Sequence, residues 1–126
     1  MRRIILAVPV LASITALPAE AEMFGPGFQP CGDKTSTLAV VECVQAKTTV
    51  ADQRLNASYK VLQARIDASQ RLPLLAAQHL WVQYRDANCG FYGVQEGSIR
   101  LVQAAECIRS MTEDRARELQ KATTFD

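Results

Sequence analysis

The sequence has very few residues with which to build a catalytic or metal-binding centre. Its only histidine is His79, and its four cysteines are separated by 12, 46 and 18 residues, with no Cys-x-x-Cys pair. Structural zinc sites normally draw on close pairs of cysteine or histidine. No spacing places a serine, a free cysteine or a pair of carboxylates beside His79, so we expect this histidine to face solvent. The sequence therefore predicts no catalytic residues, no metal and no cofactor, and the protein is expected not to be an enzyme.

Hydrophobic runs long enough to cross a membrane are also absent. The longest apolar stretch, residues 4–17, is shorter than the roughly 20 residues that a spanning helix needs. Arg2 and Arg3 precede this stretch, and small residues stand at positions 19 and 21. This arrangement is typical of a secretory signal peptide over residues 1–21, cleaved before Glu22. We expect a periplasmic or secreted protein without a membrane anchor, and no cysteine stands at the cleavage point to carry a lipid.

A surplus of charge is missing from the predicted mature chain. After removal of residues 1–21, twelve basic and twelve acidic residues remain, so the net charge is zero. Binding to nucleic acid needs a basic surface that neutralises phosphates. The neutral balance therefore argues against nucleic acid as a partner, and it gives no general attraction to a membrane surface.

Apolar residues recur at helical spacing along most of the mature chain. The pattern predicts three antiparallel helices, at about residues 36–68, at about 73–89 and from Ser98 onward. Pro73 suits the first turn of the second helix. The last helix is expected to bend or restart at Thr112, where Glu113 and Asp114 would suit a helix start. The expected fold is an all-α, three-helix bundle over residues 35–126, or a four-helix bundle if the restart separates two helices.

Glycine and proline are concentrated in two short segments. Residues 22–34 include three glycines and two prolines and are expected to form an irregular N-terminal arm. Residues 90–97 contain three more glycines and are expected to form the loop before the third helix.

The even number of cysteines in a short exported chain predicts two disulfides. The positions of Cys31, Cys43, Cys89 and Cys107 along the predicted helices favour Cys43–Cys107 and Cys31–Cys89, because these pairs would lie at similar heights. The alternative is the sequential pairing, Cys31–Cys43 with Cys89–Cys107. In a domain of this size the apolar core is small, so the disulfides are expected to contribute substantially to the stability of the fold.

Polar and aromatic side chains cluster at helical spacing on the first two helices. These residues are Asp52, Asn56, Tyr59, Trp81, Arg85 and Asp86. We interpret them as a structural polar network that fixes helix register, with an ion pair between Asp52 and Arg85. The alternative is a binding cleft.

The glycine-rich loop is the predicted contact surface. Phe91 and Tyr92 offer aromatic rings, and Glu96 and Ser98 offer polar groups. The alternative is that the two rings only cover the disulfide end of the bundle.

The order of these residues resembles the LprI-type lysozyme inhibitor N-terminal domain family over residues 31–121. The resemblance depends on Ala51-Asp52-x-x-Leu55-Asn56-x-x-Tyr59, Ala77-Gln78-x-x-Trp81-x-x-x-Arg85-Asp86-Ala87-x-Cys89, Gly97-Ser98, Cys107 and Thr112-x-x-Arg115-x-x-x-Leu119. It implies a small, exported, mainly helical bacterial domain and a role in inhibiting lysozyme. We therefore expect a noncatalytic binding protein that occludes the lysozyme cleft. The alternative is a periplasmic structural or interaction module, bound to another envelope protein and without activity on lysozyme.

Overall fold

Helices account for most of residues 22–124, which are the residues that the computed structural model describes. The one-turn helix α1 (Gln29–Gly32) is followed by α2 (Thr37–Arg65), α3 (Ala68–Gly93) and α4 (Ile99–Ala122). No strand occurs between residues 22 and 124, so the all-α prediction is confirmed. The predicted signal peptide, residues 1–21, lies outside this range. Within the range, no helix combines the length and the apolarity needed to cross a bilayer.

Local capping explains where the first long helix begins. The Ser36 hydroxyl accepts a hydrogen bond from the Ala39 amide at 3.1 Å and satisfies one of the free N–H groups of the first turn. The predicted start near residue 36 is confirmed. The helix ends at Arg65, three residues earlier than expected, and only two residues separate it from α3.

The second long helix extends beyond the predicted range at both ends. It starts at Ala68, because Asp67 and Gln70 form a capping box in which each side chain bonds to the other residue's backbone N–H. Pro73 therefore lies inside the helix and not in its first turn, at the loss of one backbone hydrogen bond. At the other end the helix continues through Gly90 to Gly93. The predicted loop of residues 90–97 is thus wrong, and the loop spans residues 94–98.

The last helix is continuous, so the predicted restart at Thr112 is wrong. The Thr112 hydroxyl donates to the Ile108 carbonyl at 2.6 Å, a bond within the helix rather than a cap. Glu113 lies in mid-helix and forms an ion pair with Arg109 at 2.8 Å. Ser98 stands at the N-cap position, but its side chain makes no capping hydrogen bond.

Helix α4 is the central element of the bundle. It packs closely against both α2 and α3, whereas α2 and α3 hardly touch each other. Two apolar clusters join α2 to α4, with Val44 near Val102 in the first and Leu62 near Leu119 in the second. Because early residues of α2 meet early residues of α4, these two helices run parallel, and α3 runs antiparallel to them. The bundle is therefore open between α2 and α3.

The disulfides join Cys31 to Cys43 and Cys89 to Cys107. The favoured crossed pairing is wrong, and the sequential pairing is the one formed. Two helical turns absent from the sequence prediction explain the difference. Helix α1 folds the arm back onto α2, so that Cys31 packs beside Val40 and Val44. The added turn at the end of α3 moves Cys89 away from the loop and places it opposite Cys107.

Candidate functional site

An apolar groove runs between α2 and α3 with α4 as its floor. It is open to solvent and has a volume of about 720 Å³, and most of the side chains around it are aliphatic or small. The lining residues are Thr37, Leu38, Val41 and Gln45 from α2, Asp86, Cys89, Gly90 and Gly93 from α3, and Ser98, Leu101, Ala104, Ala105 and Ile108 from α4 and its N-cap. Ligand sites commonly have such a volume, with a mainly apolar lining and a few polar groups. Asp86 is the one charged residue among those that line it.

Small residues on α3 keep this groove open. A Cβ added at Gly90 would meet no atom within 4 Å, and one at Gly93 would reach only the Ala104 side chain, at 3.8 Å. The Cys89–Cys107 disulfide holds this part of α3 against α4. Leu38 and Leu101 both remain substantially exposed beside the groove. The sequence does not predict this groove, because Gly90 and Gly93 were expected in a loop and not in the helix that forms one of its walls.

The four predicted contact residues lie next to one end of the groove. Phe91 and Tyr92 belong to the last turn of α3, with ring centroids 5.4 Å apart, and Phe91 is largely exposed. Glu96 is exposed in the loop, and Ser98 lines the groove itself. Their role in binding a partner remains a prediction.

A buried ion cluster on α4 lies on another side of the same half of the molecule. Arg109 donates from Nε to Glu106 at 2.6 Å and forms an ion pair with Glu113 at 2.8 Å. The Arg109 and Glu106 side chains are almost completely buried. Hydrogen bonding to Glu106 raises the pKa of Arg109 above its ordinary value, although burial acts in the opposite direction. The guanidinium therefore stays charged inside the protein.

The N-terminal arm completes this cluster with its backbone. The Phe24 amide donates to Glu106 at 3.1 Å, and Arg109 donates to the Glu22 carbonyl at 3.3 Å. Lys47 of α2 also holds the arm in place, because it donates a hydrogen bond to the Gly27 carbonyl at 2.7 Å. The arm is thus a docked part of the fold and not a loose segment. The cluster was not predicted from the sequence, although charged residues at 106, 109 and 113 follow helical steps of three and four.

The predicted polar network does not extend from α2 to α3. The Asp52 carboxylate accepts a hydrogen bond from Asn56 at 3.1 Å, and the Tyr59 hydroxyl accepts one from Gln63 at 3.1 Å. All of these residues are on α2. The predicted Asp52–Arg85 ion pair is wrong, because α4 separates the two helices that carry these residues.

The other half of the predicted network forms a contact between α3 and α4. Arg85 donates to Asp86 through Nε at 2.9 Å and Nη2 at 2.8 Å, and its guanidinium carbon lies 5.1 Å from the centre of the Trp81 ring. Arg115 of α4 lies 6.0 Å from the same ring and donates to Gln78 at 3.0 Å. Two cations thus contact one indole, an arrangement that stabilises the packing of α3 on α4.

His79 lies exposed on α3. Within residues 22–124, no group of three or more potential ligand side chains comes together to hold a metal ion. The features with the clearest relation to binding are therefore the groove and the adjoining end of α3.

Comparison with known proteins gives two matches. The family model described as lysozyme inhibitor LprI matches residues 31–119, which include all four cysteines and the whole of the groove. The resemblance found in the sequence is thereby confirmed. An uncharacterized protein of Rhizobium meliloti (strain 1021) is 26% identical over 136 aligned positions, which cover 96% of this chain and 95% of the relative. No solved structure matches the chain significantly.

Proposed function

This chain belongs to the LprI lysozyme inhibitor family, and from that premise we propose that it is an exported, noncatalytic binding protein that inhibits lysozyme by occluding its cleft. The observation that carries the proposal is the family match, which extends across both disulfides and all three long helices. The docked arm and the disulfides support it, because they make one end of the bundle a rigid platform. Rigid surfaces lose little conformational entropy when they bind.

The proposed contact surface is the end of α3 with the loop that follows. Phe91 would supply an exposed aromatic ring, and Tyr92 a half-buried ring in edge-to-face contact with it. Glu96 would supply a carboxylate for basic lysozyme, and Ser98 a hydroxyl. Aromatic residues on a rigid support are frequent energetic centres of protein interfaces.

A lysozyme lysis assay tests the proposal directly. Purified mature protein is added in increasing amounts to lysozyme and a suspension of bacterial cell walls, and the loss of turbidity is followed. We expect the rate of lysis to fall in proportion to the complex formed. Full lysis at a large molar excess of the protein would rule out lysozyme inhibition.

The contact surface is tested by Phe91→Ala. Tyr84→Ala is a matched control, since Tyr84 is 62% exposed on the same helix and Phe91 is 64% exposed. We expect the Phe91 variant to lose about tenfold or more in affinity for lysozyme, which corresponds to a central aromatic contact. The Tyr84 variant is expected to inhibit like the native protein. Equal inhibition by both variants would remove the end of α3 as the contact surface.

The zero net charge of the predicted mature chain favours a second candidate function. A protein without net charge gains less long-range attraction to basic lysozyme than an acidic protein would. The second candidate is a periplasmic structural or interaction module that binds another envelope protein. Capture from envelope extracts would recover a specific partner with the native protein and not with a Phe91→Ala/Tyr92→Ala variant. Capture of the same proteins by both would argue against it.

A further inference from the structure

We propose that the groove between α2 and α3 binds a basic amphipathic helix of the partner protein. Apolar side chains of that helix would lie against Leu38 and Leu101, and a basic side chain would pair with Asp86. The inference rests on the proposed function in taking the partner to be basic, and it deepens that function by assigning a second, apolar contact site. It differs from the contact at Phe91, which lies on the end of α3.

The dimensions of the groove suit a short helical segment. Its floor on α4 extends from Leu101 to Ile108. At 1.5 Å per residue this distance is roughly 10 Å, or about two helical turns. A helix that places apolar residues three and four positions apart presents an apolar stripe of that length. The groove walls are themselves helices, so the site is formed before the partner arrives.

The composition of the groove explains why an apolar stripe would bind. Leu38 is 67% exposed, and Leu101 is also exposed, although both border a concave surface. Covering these side chains would remove apolar area from water, which is the main favourable contribution to association. Contiguous exposed apolar patches of this kind commonly mark interaction sites.

The charge distribution favours a basic occupant. Residues 22–50 and 80–113 form the disulfide half of the molecule and contain seven acidic and five basic residues, a net charge of −2. The other described residues contain four acidic and seven basic residues, a net charge of +3. Both hydrogen bonds from Arg85 to Asp86 go to Oδ1, and the Asp86 side chain is 57% exposed. This carboxylate therefore remains open to a second cation.

The same distribution disfavours a symmetric dimer of the chain through the groove. A symmetric dimer through the groove would bring together two disulfide halves that each carry a net charge of −2. Like charges that face each other across an interface oppose association. A basic partner helix is instead attracted by the negative charge of this half.

The test uses a synthetic helical peptide of about 15 leucine and lysine residues, long enough to form the required turns once bound. A labelled peptide is titrated with the mature protein, and binding is followed by fluorescence anisotropy. The same peptide with glutamate in place of lysine is the charge control. We expect the lysine peptide to bind, and the glutamate peptide to bind at least about tenfold more weakly.

Matched variants locate the bound peptide. Leu38→Asn combined with Leu101→Asn is expected to weaken binding about tenfold or more, while Leu80→Asn, at a residue 65% exposed on α3, leaves it unchanged. Asp86→Asn is expected to weaken binding several-fold, with Asp52→Asn on the opposite half as its control. Thermal melting checks each fold, and little change is expected because all five side chains are exposed.

Three outcomes would overturn the inference. These are absence of peptide binding, equal effects of the groove variants and their controls, and a dimer of the native protein that Leu38→Asn dissociates. The lysozyme assay keeps this inference separate from the proposed function. Lysozyme inhibition without groove-dependent peptide binding would preserve the function and overturn the groove. Groove-dependent peptide binding without lysozyme inhibition would preserve the groove as a binding site and overturn the proposed function.

Discussion

Arg109 is the residue on which the docking of the N-terminal arm depends. Its guanidinium is buried, and it contacts Glu106, Glu113 and the Glu22 carbonyl. A buried charge is tolerated only when its partners satisfy it, because removal from water is costly. Here the partners come from both the helix and the arm. The cluster therefore joins segments that are more than 80 residues apart in the sequence.

Arg109→Met is expected to destabilise the protein by about 3–5 kcal/mol, because it leaves the buried Glu106 carboxylate without its cation. Urea unfolding followed by circular dichroism measures the change. Arg54→Met is the control, since Arg54 is exposed on α2 and its replacement should change stability by less than about 0.5 kcal/mol. Equal stability of the two variants would show that the ion cluster contributes nothing.

Two glycines are expected to respond in opposite ways to alanine. A Cβ at Gly27 would lie 2.6 Å from Nη1 of Arg109, which is too buried to move aside, so Gly27→Ala should destabilise by about 1–3 kcal/mol. Gly90 is inside α3 with no neighbouring atom within 4 Å, so Gly90→Ala should stabilise by about 0.5–1 kcal/mol. Thermal and urea unfolding of both variants measure these shifts. Destabilisation by Gly90→Ala would contradict its place in an open helix.

At the scale of elements, α3 is the least buried of the long helices. Cys89 is its one fully buried residue, and it packs mainly against α4. The disulfide from Cys89 to Cys107 therefore holds a helix that has little other anchorage at this end. The same bond holds α3 in position to form one wall of the groove.

Trypsin digestion without reduction is expected to reveal the sequential disulfides. Cleavage after Lys34, Lys47, Arg85, Arg100 and Arg109 separates the four cysteines onto different peptides. We expect residues 22–34 linked to 35–47, and residues 86–100 linked to 101–109. Mass spectrometry distinguishes these products from the crossed pairing, which would link 35–47 to 101–109 instead.

Replacement of Cys89 and Cys107 by serine should destabilise the protein by about 2–5 kcal/mol, as is usual for a native disulfide in a small domain. Loss of this disulfide should also speed trypsin cleavage after Arg85 and Arg100, since the end of α3 would separate from α4. The Cys31→Ser/Cys43→Ser variant is the control, because that disulfide holds α1 on α2. Cleavage at those two arginines that is equally fast in both variants would contradict a local role.

At the scale of the whole molecule, charge is unevenly divided although the total is close to zero. The disulfide half carries a net charge of −2, and the opposite half carries +3. The molecule therefore has an electric dipole, although its net charge is close to zero. The negative end of this dipole favours approach of a basic partner to the groove and to the loop with Glu96, which lie in the same half.

Salt should slow the association of the protein with the leucine–lysine peptide. The Debye length falls from about 10 Å at 0.1 M salt to about 3 Å at 1 M, so the attraction becomes short-ranged. The association rate measured by stopped-flow fluorescence is expected to fall several-fold, while the dissociation rate changes less. Asp86→Asn should reduce this salt dependence more than Asp52→Asn. An association rate independent of salt would contradict electrostatic steering.

The sequence by itself determined the local features of this protein. Helical periodicity and the Ser36 cap locate α2, because helix initiation depends on residues within one turn of each other. The ordered motif from Ala51 to Leu119 identified the family. The capping box at Asp67 was also readable, but Pro73 suggested a later start. The start of α3 at Ala68 could therefore have been predicted from the sequence alone.

Only the tertiary structure decided the disulfide pairing, the buried Arg109 cluster and the groove. The cluster and the groove depend on α4 occupying the centre, between α3, which directly precedes it, and α2, which ends more than 30 residues earlier. The pairing also depends on α1, which brings Cys31 back onto α2. Periodicity shows that a helix has an apolar face but not which neighbour covers it. Once α4 separates α2 from α3, Asp52 cannot reach Arg85, Cys89 faces Cys107, and the groove stays open above α4.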